Sequence, residues 1–386
     1  MTTTEIQDTE IKRDGLKTDE MLINMGPQHP ATHGVLRLIL TLDGEWVKHA
    51  ECVVGHLHRG QEWQGQNRTL FQYQALIDRV DYLSGMFTSW AMARAAEVID
   101  DCVVPERAEW LRVIASEMNR ITSHLLWLGT YLIDLGAMFG FPFYPFRERE
   151  KLLDLLEEIA GQRMMFNYIR IGGVQREPKE DWYKRLQKFT EEFPQRIEEY
   201  EAIVTENPIF LNRTKGIGNL TAQHAKDYGV TGPTIRASGV DFDLRRTRPY
   251  SVYDKIKFDV PVRNRDTLVG DTWDRYICRI EEMRQSNEII KQAIDMVPKT
   301  GEIMAKKQIA GLRIKAGEGF AAVESPRGIL GCYIISNGSD KAYRFKWRNP
   351  SFTNLSILPD LLKGGPIADI MAVFGSIDVI IPDVDR

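Results

Sequence analysis

Between Arg120 and Arg147 lie 26 residues whose only ionisable side chains are His124, Tyr131, Asp134 and Tyr144. No other stretch so narrows what this chain can fold into. A membrane-spanning helix needs about 20 uninterrupted apolar residues. Gly129, Gly136, Gly140, Pro142 and Pro145 break this one, so its helix is expected to stop near Ala137. A helix buried in a protein core is the better reading, and it leaves Asp134 in an apolar setting. Upstream, Ile114, Met118, Ile121, Leu125, Leu128 and Leu132 recur at helical spacing, and Pro105–Glu106 makes a start suited to the helix dipole.

The flanking segments build outward from that helix. Leu76, Val80, Leu83, Phe87 and Trp90 follow a helical 4, 3, 4, 3 spacing and predict one long earlier helix. KLLDLLEEIAGQR predicts a third helix closing near Gly161. A segment over 181–206 carries Trp182, Leu186, Phe189, Ile197, Tyr200 and Val204, with Pro194 expected to kink or split it. A further helix is expected over 273–297, ended by Pro298. Before the helices, Leu36, Leu38, Leu40 and Leu42 alternate, and Asp43-Gly44 supplies a tight turn, so a β-hairpin is expected. The tail, from about 307, reads as short strands and a compact ending, and 208–270 reads as irregular. The fold class is therefore α+β, mostly α: an N-terminal β-hairpin region, a central helical bundle and a C-terminal α/β cap. The expected divisions are a polar arm over 1–20, a β-rich region over 21–68, a helical core over 69–300 and a C-terminal region over 301–386, with 21–386 one intertwined domain.

Composition excludes several function classes. The net charge is −4, and residues 1–20 hold six acids against three bases, which leaves no basic footprint for nucleic acid or for an anionic membrane surface. That acidic arm, with no apolar run, predicts neither a secretory signal nor a mitochondrial presequence. The four cysteines, Cys52, Cys102, Cys278 and Cys332, are far apart with no CxxC, so neither a disulfide framework nor an iron–sulfur cluster held by this chain alone is expected.

Five motifs stand out. GPQHPATHG (26–34) places His29 and His33 in a Pro/Gly-punctuated loop; solvated histidines in a turn are the bland reading. A metal site from His29, His33, His56 and His58 is the sharper one, disfavoured because Pro30 excludes the one-face helical geometry of a zinc HExxH motif. GHLHRGQEWQGQNRT (55–69) gathers His56, His58, Arg59, Glu62 and Arg68. DRVDYLSGMF (78–87) sets Asp78 and Tyr82 one turn apart, and a buried phenol needs a hydrogen-bond partner that a ligand carbonyl could supply. FRERE (146–150) is a salt-bridged helix start or a buried Arg–Glu network. GSIDVIIPDVDR (375–386) is apolar and then acidic, unlike a tail that frays in water.

Taken in order, GPQHPATHGVLRL, HLHRG, NRT, RVDY, EMNRITSHLLWLG, DLGA, FRERE, RIGGV, NPIF, RASG, EMRQS and the ADIM…GSID…DVDR ending resemble one family across residues 24–386. It is the D-subunit family (the H subunit in cyanobacteria and chloroplasts) of proton-pumping NADH:quinone oxidoreductase, respiratory complex I. That family is itself similar to the large subunits of NiFe hydrogenases. Here Ile380 and Asp383 stand where the hydrogenase carries metal-binding cysteines, Arg386 stands where it carries a histidine, and the N-terminal cysteine pair is missing around His58-Arg59-Gly60. Without thiolates nothing soft remains to hold Ni and Fe.

The resemblance implies a NiFe-hydrogenase large-subunit-like fold, no metal in this chain, and quinone as the substrate in the vacated cavity. It implies that His33 and Tyr82 meet the quinone headgroup as hydrogen-bond and proton donors, with ordinary pKa values near ~6.5 and ~10. Asp134 matches the acid that orients His33 and couples to it. Arg59, Arg147 and Glu148 match charged positions lining or bracing the pocket and the partner interface. Electrons would come from a 4Fe–4S cluster held by an iron–sulfur partner subunit. A membrane subunit would stand at the quinone-channel entrance, other peripheral-arm subunits would be neighbours, and the chain would lie peripherally on the cytoplasmic side of a cell inner or thylakoid membrane. His56, Trp63 and Gln64 depart from the family pattern after the β-hairpin, and MFGFPFYPF is bulkier than usual. A metal-dependent hydrogenase-like subunit and a non-catalytic scaffold remain as alternatives.

Overall fold

A computed structural model of the chain describes residues 20–28, 34–136, 140–263, 270–305 and 311–386. Three antiparallel strands come first: β1 (Glu20–Gln28), β2 (Leu36–Asp43) and β3 (Trp46–Val53), in that order across the sheet. The expected hairpin is β2–β3. Gly44 turns it at φ 63, a conformation that costs glycine nothing. The alternating leucines of β2 are all buried. β1 is an addition to the sequence reading. Its register shifts between Met25 and Gln28, which lets Gly26-Pro27 sit in a strand without breaking it.

Short helices α1 (Gln61–Asn67) and α2 (Leu70–Gln74) lead into α3 (Gly85–Asp100) and the long α4 (Glu106–Asp134). The single helix expected through Leu76 and Trp90 does not form, which is a correction. The chain between α2 and α3 is irregular with one 3-10 turn (Ile77–Arg79), and α3 begins only at Gly85. The Asp81 carboxylate accepts hydrogen bonds from the Leu83 and Ser84 backbone N–H groups, both at 3.1 Å, and so diverts the backbone from helix. Gly85, the first residue of α3, lets Asp78 pack close: a Cβ there would fall 2.9 Å from that of Asp78. Val80, Leu83, Phe87 and Trp90 are nonetheless buried, so the spacing identified the inward face while missing the break.

α4 ends at Asp134, close to the expected stop, and α5 (Phe143–Ala160) closes at Gly161 with φ 82, as expected, although it starts earlier than KLLDLLEEIAGQR. A two-strand ladder, β4 (Ile169–Arg170) and β5 (Gly173–Val174), precedes α6 (Glu180–Val204). Of the two outcomes expected at Pro194, a kink or a split, the split does not occur: α6 runs through it as one helix. Proline cannot donate to the carbonyl four residues back, but that Thr190 carbonyl accepts a hydrogen bond from Asn287 Nδ2 at 3.0 Å instead. The stretch read as irregular holds short helices α7 (Pro208–Asn212), α8 (Ala222–Asp227), α9 (Pro233–Ala237) and α10 (Leu244–Thr247). α11 (Thr272–Met296) packs against α4 and α6 and is capped by Asp271.

The C-terminal sheet, β6 (Ala316–Ser325), β7 (Gly328–Asn337) and β8 (Ala342–Arg348), is an antiparallel meander. Then come α12 (Pro350–Leu355), α13 (Leu358–Leu362), α14 (Ile370–Ile377) and α15 (Ile381–Asp385). The tail is packed rather than frayed: Asp378, Asp383 and Asp385 are buried. One apolar cluster joins the β2 leucines to Ile357, Leu358, Phe374 and Val384, so the N-terminal sheet shares its core with the last helices. Trp127 of α4 donates to the Gly375 carbonyl at 2.7 Å, which fixes α14 on the bundle.

Candidate functional site

Three segments far apart in sequence meet at the end of the chain. Asp385 accepts from the backbone N–H of Gly55 (2.8 Å) and of Leu57 (2.7 Å), while its own carbonyl lies 2.7 Å from His58 Nδ1. The HLHRG loop is thus tied to the DVDR ending. Gly34 rests on the same junction. A Cβ there would stand 2.8 Å from Ile381 Cβ and 2.9 Å from Leu57 Cδ1, at a φ of +134 that side chains avoid. His29 and His33 lie outside the described residues; the fold gives only the position of Gly34, the residue after His33.

The third segment brings Tyr82. It follows Asp81 in the irregular stretch before α3 and is partly buried. Its hydroxyl makes no hydrogen bond to any described residue. Burial pushes the phenol up to about 12; neighbouring Arg327 opposes this, and Asp81 and Asp378 add to it. Arg327 is the centre of the arrangement. It sits at the Pro326-Arg327 tip of the β6–β7 hairpin and points inward, fully buried. Its guanidinium donates to Asp81 Oδ2 at 3.0 Å and to Ser123 Oγ of α4 at 3.1 Å, with Asp378 Oδ1 at 3.5 Å. Gly328 makes this docking possible: a Cβ would fall 2.3 Å from Thr231 Oγ1. Asp383 completes the group. Burial, and then the charge of Asp81, raise its carboxyl to about 7, although the Ser351 N–H bonds its Oδ2 at 3.1 Å.

The other expected residues are spread wider. Asp134 is the last residue of α4, partly buried, and burial alone raises it to about 6; its Oδ2 has no hydrogen-bond partner among the described residues. It lies eleven residues beyond Ser123, about 16 Å along the helix axis. Arg59 is exposed and donates to the Arg79 carbonyl at 2.8 Å. Arg147 and Glu148 pair with one another (2.6 Å) on α5, and Arg147 also reaches Glu199 of α6 (2.9 Å). Among the described residues these two do not touch the Tyr82 group, and FRERE is a brace between helices with Glu148 fully buried. His56 is exposed, Trp63 is 67% exposed, and Gln64 donates to the Arg59 carbonyl at 2.7 Å.

A cavity of about 500 Å³ opens beside the junction, lined by Val54, His58, Trp63, Lys346, Phe352 and Arg386 among others. Tyr82 does not line it. Two of its basic groups are half in solvent (Lys346 47%, Arg344 48%), where their charges are screened, and Arg386 is 20% exposed. Buried groups with displaced pKa values are better suited to moving protons, and these surround Arg327. Sequence reasoning missed Arg327, Asp81, Ser123 and Asp378. The readable signal was the acid-rich ending, which if buried needs an internal base. Among the described residues no group of three or more His, Cys, Asp or Glu is placed to hold a metal ion.

The family described as respiratory-chain NADH dehydrogenase, 49 Kd subunit, matches residues 134–310 and 305–386. Curated relatives in Bacillus mycoides, Bacillus cereus and Bacillus anthracis, each named as the D subunit of NADH-quinone oxidoreductase, are 45% identical over 370 residues, which is 96% of this chain and all of theirs.

Proposed function

Because this chain belongs to the family of respiratory-chain NADH dehydrogenase 49 kDa subunits, we propose that it forms the protein wall at which quinone is reduced within that complex. The observation that carries the reading is the junction of Gly34, the 55–58 loop and the 378–386 ending beside Tyr82, whose hydroxyl is without a partner among the described residues. A phenol raised to about 12 keeps its proton at neutral pH and can donate to a headgroup oxygen. Such a bond contributes about 0.5–1.5 kcal/mol to binding and strengthens as the oxygen gains charge. His33 is the second donor, and Asp134 holds its tautomer and favours its charged form.

In this reading the 4Fe–4S cluster that delivers electrons is held by an iron–sulfur partner subunit. The cysteines here, on β3, after α3, on α11 and on β7, belong to separate elements. The complex is membrane-bound and proton-translocating, and this subunit sits peripherally on its cytoplasmic side, next to a membrane subunit through which quinone enters. No helix among the described residues is long and apolar enough to cross a membrane. Tyr82→Phe and His33→Ala, each in assembled complex, are expected to lower quinone reduction at least tenfold while NADH-to-ferricyanide transfer, which needs no quinone site, stays normal. Unchanged quinone reduction in both overturns the assignment.

A further inference from the structure

His124 lies on α4 immediately after Ser123, the residue that anchors Arg327, and it is fully buried. Its Nε2 is 3.0 Å from Glu282 Oε2 of α11. Its Nδ1 is buried with no hydrogen-bond partner among the described residues. Glu282 also pairs with Arg236 (2.9 Å), Arg245 (3.2 Å) and Arg120 (3.4 Å), so it is held ionised and must accept from His124; the Nε2–H tautomer follows. Nδ1 is then an unpaired acceptor in the protein interior, the one ring position of His124 still open to a proton.

The surrounding charge is mixed. The core cluster contains Glu117, Asp243, Glu282 and Glu324 against Arg120, Arg236 and Arg245, one acid more than its bases. The groups facing His124 are Glu282 and Arg279 from α11, and Asp378 after α14. Asp378 is also the neighbour of Arg327 and acts on Tyr82. His124 therefore stands between two ionic groups: the Tyr82–Asp81–Arg327–Asp378 group and the Glu282 cluster. At rest its imidazole is neutral, since burial outweighs the pull of Glu282.

We propose that His124 is a positioning residue for quinone reduction that takes up one compensating proton at Nδ1 while the pocket is charged. The inference rests on the quinone reading above. The headgroup gains two electrons from the partner's cluster and two protons. Tyr82 gives one of these: its O–H bond breaks, a quinone O–H bond forms, and a phenolate remains. His33 gives the other and regains it from water. One proton from bulk water forms the Nδ1–H bond of His124, and the imidazolium offsets the phenolate through Asp378 and Arg327. When a water-derived proton restores the phenol, Nδ1 releases its proton to water.

The test is His124→Gln in assembled complex, with decylubiquinone as the quinone. Glutamine keeps an amide N–H for Glu282 but cannot be protonated. The expected result is a KM within about twofold of the parent, a kcat lower by about tenfold, and loss of the alkaline limb of the kcat profile, since proton uptake fails as pH rises. Unchanged kcat and an unchanged profile overturn the proposal. If the variant does not assemble, time-resolved redox-difference infrared spectra of the unsubstituted complex with ring-labelled histidine decide: imidazolium bands rise during quinone reduction and decay as the phenol regains its proton, and the absence of such transient bands overturns it. If Tyr82→Phe is inert, the quinone reading itself has failed. If Tyr82→Phe is crippled and His124→Gln is not, only the role of His124 falls.

Discussion

The Leu57 backbone N–H donates to the Asp385 carboxylate at 2.7 Å across 328 residues of sequence, and Gly55 does the same to the other oxygen. These are charge-assisted bonds, each contributing on the order of 1.5–3 kcal/mol. Asp385→Ala should release the loop. Hydrogen exchange on the assembled complex is expected to show the Gly55 and Leu57 amides losing about tenfold to a hundredfold in protection, with quinone reduction falling in parallel. Retained protection would mean that the last turn does not hold the loop.

Arg327 bridges Asp81 and Asp378, and all three are buried. Arg327→Met removes the cation and strands two carboxylates, a change that costs about 3–5 kcal/mol. The expected outcome is little assembled complex and a lower heat midpoint for what assembles. Adding Asp81→Asn should recover part of the loss, because one stranded charge is then gone. Simple additivity of the two effects would contradict the pairing.

Asp134 carries a sign that can be checked. Its folded-state carboxyl sits at about 6, against an ordinary 3.8, because burial disfavours the charged form. The folded state thus holds a proton that the unfolded state gives up. The associated stability is fully present below about pH 3.8 and is lost as pH rises through about 6. Amides of the last turn of α4, corrected for intrinsic exchange, should be better protected at pH 5 than at pH 7.5. In Asp134→Asn that difference should vanish.

Much of this architecture is readable from residue spacing, because burial follows periodicity. The β2 leucines, the α4 stripe and the Gly161 stop needed no tertiary information. What escaped depended on partners distant in sequence. Leu76 to Trp90 has helical spacing, but Asp81 captures two backbone N–H groups and no α-helix forms before Gly85. Arg327 in SPRG looks like any turn residue until β6 and β7 pair and push its tip into the acids of 378–383. Tyr82 was legible as a phenol on an apolar stripe, but not as the neighbour of those acids. Asp134 was legible as a lone acid in an apolar run, and burial displaces its pKa for that reason.

Pro194 offers the remaining check, since sequence alone left a split helix open and α6 is continuous there. A proline within a helix leaves the carbonyl four residues earlier without its donor, and here Asn287 of α11 fills the gap at Thr190. Asn287→Leu keeps the volume near that of the parent but leaves a buried carbonyl unpaired, at a cost of about 1–3 kcal/mol. Pro194→Ala returns the missing N–H to the same carbonyl. Asn287→Leu alone should lower the heat midpoint of the complex and loosen amides around Thr190 in hydrogen exchange. The double substitution should recover most of both losses, because the helix then satisfies Thr190 itself. If Asn287→Leu is equally harmful with and without Pro194, the asparagine has another role and the continuity of α6 needs a different cause.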